Sequence, residues 1–218
     1  MMNNVVLWGV SVSPYVRKVM VALAEKEIGY EHKEILPRIL LEATGQEVAA
    51  EFNQVSPLGK IPALQIDNYS ISDSAVIASY LDRKFSTGNK LYPNHPEEYG
   101  KALYFERYSD TILTNVIYQK IFLECVVKAK VLNQSPNYDL VNTAIENELP
   151  ILLHYLNAQL QGKKWFSGEN FSMADVAIAT QLLALEMSGF NFLQKKYKNL
   201  RSHMRETMMR KSFIKISI

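Results

Sequence analysis

The chain has 218 residues, with 24 Lys and Arg against 22 Asp and Glu, a formal net charge of +2 and a hydrophobic content of 48%. This length can bury a real core in one or two domains, and these proportions are those of an ordinary soluble globular protein. The small net charge gives no strong pull toward nucleic acid or an anionic membrane, and the single cysteine, Cys125, excludes an intrachain disulfide.

The opening Met1-Met2-Asn3-Asn4 lacks a basic leader. The apolar piece Val5 to Val10 is too short for a signal sequence or a membrane span, so cytoplasmic location is the expectation. Val5 to Trp8 reads as a buried strand stopped by Gly9. A helix is predicted after Pro14, since proline is tolerated in a first helical turn. Val16, Val19, Met20 and Leu23 recur at helical spacing until Gly29. Tyr30 to Leu36 is predicted as a second strand, and Leu40 to Phe52 as a weakly patterned helix. Ile61 to Ile66 and Tyr69 to Ile71 are two short strands meeting at Asp67-Asn68. Ser72 is the predicted N-cap of a helix over Ala75 to Lys84, with Ile77, Tyr80 and Leu81 on one face. The order β-α-β-α-β-β-α describes a compact α/β domain over residues 1–84.

Residues 85–96 are rich in turn formers and read as a linker. Strand signals then vanish, which predicts an all-helical domain over residues 97–218. No Gly or Pro occurs between Lys101 and Ser135, so one or two long helices fit there. Leu149, Leu152, Leu153, Leu156 and Leu160 form another stripe, in which Pro150 should start or kink a helix. Ser172-Met173-Ala174-Asp175 has the spacing of a helix cap ahead of a buried helix. A final helix is predicted over Leu200 to Ser212.

Three polar corners carry the candidate chemistry. Pro62 sits where the Ala63-Leu64 strand begins, the place in a strand that tolerates a missing N–H donor. An Ile61-Pro62 bond there is a candidate cis peptide, which leaves the backbone of Ile61 open to an extended peptide. Lys60 beside it can meet a carboxylate or simply be solvated. Ser13, ahead of the Pro14 helix, can donate to an anion at the helix start or cap the helix, and Ser11 competes for either role. Tyr15 can line a pocket or pack, and Arg17 is expected to face neighbouring carboxylates or solvent. Asp73 and Ser74 can receive the ammonium and carboxylate of an amino acid, or cap their helix. Together the corners suggest a peptide-like ligand.

His32, His95, His154 and His203 have no metal-like spacing, and one cysteine builds no thiolate site, so no metal is expected. Between Lys195 and Lys215 there are eight basic residues and one acid, Glu206, a run read as a solvated helical face.

Four blocks in order resemble the cytosolic glutathione S-transferase family, serine-type and bacterial-like. They are Ser13-Pro14-Tyr15-Val16-Arg17-Lys18-Val19, Asn53 through Gly59-Lys60-Ile61-Pro62-Ala63-Leu64, Ile71-Ser72-Asp73-Ser74-Ala75-Val76-Ile77, and Phe171-Ser172-Met173-Ala174-Asp175. Asp73 stands where the family more often has Glu. The resemblance implies a thioredoxin-like N-terminal domain followed by a helical bundle, usually as a homodimer, with no nucleic acid or membrane as partner. It also implies glutathione as co-substrate and a small hydrophobic electrophile as the other reactant. In that scheme Ser13 stabilises the thiolate, Ile61 pairs with the cysteinyl backbone, and Asp73 and Ser74 hold the γ-glutamyl end. Lys60 assists at a carboxylate, Pro62 shapes the turn, and Ser11 and Tyr15 are further candidates. Serine at this corner argues against thiol-exchange chemistry, because it forms no mixed disulfide. The alternative class is a non-catalytic carrier or protein-interaction module on the same fold.

Overall fold

The computed structural model describes residues 4–191 and 195–216. It divides into two compact units, Met1–Leu91 with Lys215–Ile218, and Tyr92–Ile214, so the division falls inside the turn-rich segment.

The first unit is built on a four-stranded mixed sheet in the order β2-β1-β3-β4. Strand β1 (Val5–Trp8) is buried at every position, as its unbroken apolar run requires of a strand covered on both faces. Helix α1 (Pro14–Glu25) follows, then β2 (Glu31–Lys33), parallel to β1. The second strand is shorter than the stretch Tyr30 to Leu36 predicted for it. The helix expected over Leu40 to Phe52 is two short helices, α2 (Arg38–Ala43) and α3 (Ala50–Val55). Gly45 lies between them at φ 69, a conformation that stops a helix.

Strand β3 (Ala63–Ile66) runs antiparallel to β1 and to β4 (Tyr69–Ser72), and helix α4 (Ser74–Lys84) packs against α1. Pro62 stays just outside β3, so its missing N–H costs the ladder nothing. Alternation splits the sheet between two cores. Val6, Trp8 and Ala63 pack with Phe52 and Val55 of α3, while Leu7 and its cross-strand partner Leu64 are fully buried on the other face.

Among the described residues, the regular elements of the second unit are all helices. Helix α5 (Pro96–Tyr108) runs directly into a helix of π-type pitch over Ser109–Val131, as the absence of Gly and Pro allows. Helix α6 (Tyr138–Thr143) passes through a wide turn (Ala144–Glu148) into α7 (Leu149–Gln159). Pro150 sits in the first turn of α7, where the wide turn accommodates its missing donor. Helix α8 (Met173–Met187) is the buried centre, as its apolar composition predicts. Helix α9 (Lys198–Met208) and the short α10 (Lys211–Ile214) replace the single helix expected to Ser212. Leu200, His203, Met204 and Thr207 form the buried stripe of α9, and Arg201 and Arg205 lie on its solvated face. Among the described residues no helix is long and apolar enough to cross a membrane. No cluster of three or more His, Cys, Asp or Glu there is placed to hold a metal ion.

Candidate functional site

Strand register gathers the three polar corners. Trp8 at the end of β1 pairs with Ala63 at the start of β3, and Ala63 pairs with Ser72 at the end of β4. The segments after Trp8, before Ala63 and after Ser72 therefore leave the sheet at the same end. Adjacent strands are about 4.8 Å apart, so the row from the first corner to the third spans about 10 Å. A fully extended tripeptide has about the same length.

Gly9 makes the close approach between corners. It adopts φ 137, and a Cβ there would sit 2.6 Å from Val16 Cγ2 on α1 and 3.0 Å from Ile61 Cβ. Only glycine lets α1 and the Ile61 turn close on the end of β1 together. By sequence Gly9 signals a strand stop alone, since nothing nearby in the chain marks its distant neighbour.

Ser13 is the N-cap residue of α1 by backbone conformation, at φ −69 and ψ 127, but its side chain makes no cap hydrogen bond. Its N–H donates to the Val10 carbonyl at 3.0 Å, and its carbonyl accepts the Arg17 N–H at 3.0 Å. The hydroxyl of this buried residue is thus left at a helix start, where N–H groups and the helix dipole favour negative charge. Ser11 differs, because both of its backbone groups are held by side chains. Its N–H donates to Glu34 Oε1 at 3.2 Å, and its carbonyl accepts Arg17 Nε at 2.8 Å. Arg17 therefore faces the loop backbone and is buried, rather than turning to solvent or to neighbouring carboxylates. Burial pushes its pKa below the ordinary arginine value. Tyr15, in the first turn of α1, is half-buried.

At the second corner the Ile61-Pro62 bond is cis. Among the described residues, the N–H and C=O of Ile61 pair with no other backbone group. The Lys60 carbonyl accepts the Ser56 hydroxyl at 2.8 Å, and the Lys60 side chain is exposed. Arg38 braces this turn. Its Nη2 donates to Asn53 Oδ1 at 2.6 Å and to the Pro57 carbonyl at 3.1 Å, and its N–H donates to the Gly59 carbonyl at 2.8 Å.

At the third corner the cap is Asp73, not Ser72, and Ser72 is the last residue of β4. Asp73 adopts φ 77, and its Oδ1 accepts the N–H groups of Ala75 at 3.0 Å and Val76 at 3.2 Å. Those two donors are thus spent inside the protein. Among the described residues the Ser74 N–H and hydroxyl remain uncommitted at this helix start, next to the exposed Asp73 carboxylate.

The chain matches the family model for the glutathione S-transferase N-terminal domain over residues 7–90 and that for the C-terminal domain over residues 115–211. The chain belongs to the glutathione S-transferase family. Glutathione S-transferase hmp2 of Hypomyces subiculosus is 27% identical over 209 residues, 91% of each chain. Maleylacetoacetate isomerase of Rattus norvegicus is 32% identical over 170 residues, 78% of this chain and 72% of the relative. The solved structure of FzlA from C. crescentus superposes with a TM-score of 0.85 at 21% identity, covering 98% of this chain and 91% of that one. The family fold is a thioredoxin-like domain followed by a helical domain, and glutathione is the family's co-substrate.

Proposed function

We propose that this chain is a cytoplasmic, homodimeric glutathione transferase in which Ser13 stabilises the glutathione thiolate for attack on a small hydrophobic electrophile. The observation that carries this reading is the Ser13 hydroxyl at the start of α1, which makes no cap hydrogen bond among the described residues, in line with the open Ile61 backbone and the Asp73-Ser74 helix start. The cysteinyl backbone pairs with Ile61 beside cis-Pro62, as a strand would. The γ-glutamyl ammonium meets Asp73, its carboxylate meets the Ser74 N–H and hydroxyl, and Lys60 lies near a peptide carboxylate. Tyr15 lines the thiol end.

A free thiol has a pKa near ~8.5, so only a few per cent is thiolate at neutral pH. Lowering that value by ~2 units takes about 2.7 kcal/mol of differential stabilisation. A charge-assisted hydrogen bond from Ser13 together with the helix end is of this size. The thiol proton leaves to solvent, the sulfur lone pair forms the C–S bond, and the leaving group departs with its bonding pair. Because a relative is a maleylacetoacetate isomerase, an isomerisation is the second reading. It begins from the same thiolate, which adds to an unsaturated carbon and is later expelled.

The deciding experiment is ultraviolet difference absorbance of bound glutathione against pH in wild type, Ser13→Ala and Ser11→Ala. A depressed thiol pKa lost only in Ser13→Ala supports the assignment. Loss only in Ser11→Ala moves the hydroxyl two residues back. Binding by calorimetry with no thiolate signal overturns the transferase reading in favour of a carrier.

A further inference from the structure

We infer that Arg17 and Glu34 are positioning residues for the Ser13 hydroxyl, acting by clamping the two peptide groups on either side of Ser11. This rests on the role proposed for Ser13. The loop from Gly9 to Ser13 is held at its ends mainly by backbone. The Gly9 N–H donates to the Lys33 carbonyl at 3.0 Å, and the Ser13 N–H closes a turn on Val10 at 3.0 Å. His32 Nε2 adds a bond to the Gly9 carbonyl at 2.7 Å, and since a carbonyl only accepts, that nitrogen carries the proton.

Both peptide groups at Ser11 depend instead on side chains from two different elements. Glu34 lies just beyond β2, which runs parallel to β1 with Lys33 opposite Trp8, so it emerges at the same end of the sheet. Its carboxylate takes the Ser11 N–H. Arg17 reaches back from one turn inside α1 to the Ser11 carbonyl. The side chain of Arg17 is anchored on the same helix that Ser13 begins. The clamp thus ties the loop to α1 on one side and to the β2 end on the other.

A purely packing residue at position 17 would be apolar. Burying a guanidinium is costly unless its hydrogen bonds matter, and the Ser11 carbonyl could have been left to water. Spending a buried arginine on a carbonyl two residues before the hydroxyl makes sense when the direction of that hydroxyl matters. Displacement of a reacting group by about 1 Å can cost about 100-fold in rate.

The test is the pH titration of bound-glutathione thiolate in Arg17→Met, Glu34→Ala and Glu34→Gln, each also made in the Ser13→Ala background, with melting curves and glutathione Kd alongside. Arg17→Met should raise the thiol pKa by about one unit, about a tenfold loss of thiolate below that pKa, with Kd nearly unchanged. Glu34→Ala should raise it by about half a unit, and Glu34→Gln, which keeps an acceptor oxygen, should restore most of the shift. None should add to Ser13→Ala. Wild-type titration curves in the folded Arg17 and Glu34 variants would overturn the clamp alone. So would shifts that persist undiminished without the Ser13 hydroxyl, since they would then act on the ligand directly. If Arg17→Met does not fold, the two Glu34 variants decide. A wild-type thiol pKa insensitive to Ser13→Ala would overturn the Ser13 reading and the clamp with it, a result distinct from failure of the clamp alone.

Discussion

Two serines, Ser13 and Ser172, each begin a helix in this protein, and their surroundings show what separates a structural cap from a chemical one. Both have the extended backbone of an N-cap residue. At Ser172 both of the serine's own donors are spent. Asp175 lies three residues on, fully buried, and its Oδ2 accepts the Ser172 N–H at 2.9 Å and the Ser172 hydroxyl at 3.2 Å. Its Oδ1 accepts the Phe166 N–H at 3.0 Å and His203 Nε2 at 2.9 Å. At Ser13 the residue three on is Val16, which offers nothing, and the hydroxyl caps nothing. A saturated cap stabilises its own unit, whereas an unsaturated one remains available to a ligand.

The sharpest way to break this contrast is to exchange the consequences. Ser13→Ala should lower kcat/KM for glutathione conjugation by about 100-fold or more, as loss of a donor to a developing or fixed anion does. Its melting temperature should stay close to that of wild type, because no cap hydrogen bond is lost. A large drop in stability with activity retained would reverse the assignment. Asp175→Ala should do the opposite. It strands four donors in the interior and should cost about 3–5 kcal/mol in urea unfolding, with glutathione affinity preserved in the molecules that remain folded.

Gly9→Ala comes next, at about 2–3 kcal/mol. The added Cβ collides with Val16 and Ile61, and the backbone lies at positive φ. Denaturant midpoints measure it, and an unchanged midpoint would show that the corners are not locked together at Gly9. Asp73 is intermediate between the two serines, a cap that also faces solvent. Asp73→Ala should cost about 1 kcal/mol of stability and also weaken glutathione binding. Asp73→Asn keeps an acceptor and tolerates positive φ, so it should keep the stability and lose only affinity.

The smallest effect belongs to Tyr108 in the helical unit. Burial, with a lesser contribution from Tyr104, pushes its phenol up to about 12. A folded value above the ordinary one near ~10 favours the protonated form, so this contribution is whole below pH ~10 and is lost as pH rises toward 12. Burial also pushes the phenols of Tyr30 and Tyr155 up, so absorbance titration near 295 nm should show several late-ionising tyrosines, with one fewer in Tyr108→Phe.

The features legible in the chain are the ones that neighbouring residues make for themselves. β1 and α8 announced themselves by unbroken apolar runs, α1 by its spacing, and the Ser172 cap by an acid three residues on. Pro62 had to lie outside a strand interior wherever that strand paired. Where local signals are weak, tertiary context sets the element boundaries. The stretch from Leu40 to Phe52 was divided by Gly45, and Ser72 yielded its cap to Asp73 because β4 runs one residue further than its apolar pattern.

The amino-acid sequence by itself determined the two-part organisation, the family blocks and the identities of the three corners, because periodicity, caps and proline chemistry act over a few residues. Only the tertiary structure decided that Trp8, Ala63 and Ser72 fall in one row, that Gly9 meets Ile61, and that the Ser11 N–H finds Glu34 twenty-three positions away. It also decided that Ser13, unlike Ser172, keeps its hydroxyl free of the helix it begins. The physical reason is that strand register and side-chain reach depend on the packing of separated segments, which no short stretch of chain encodes alone.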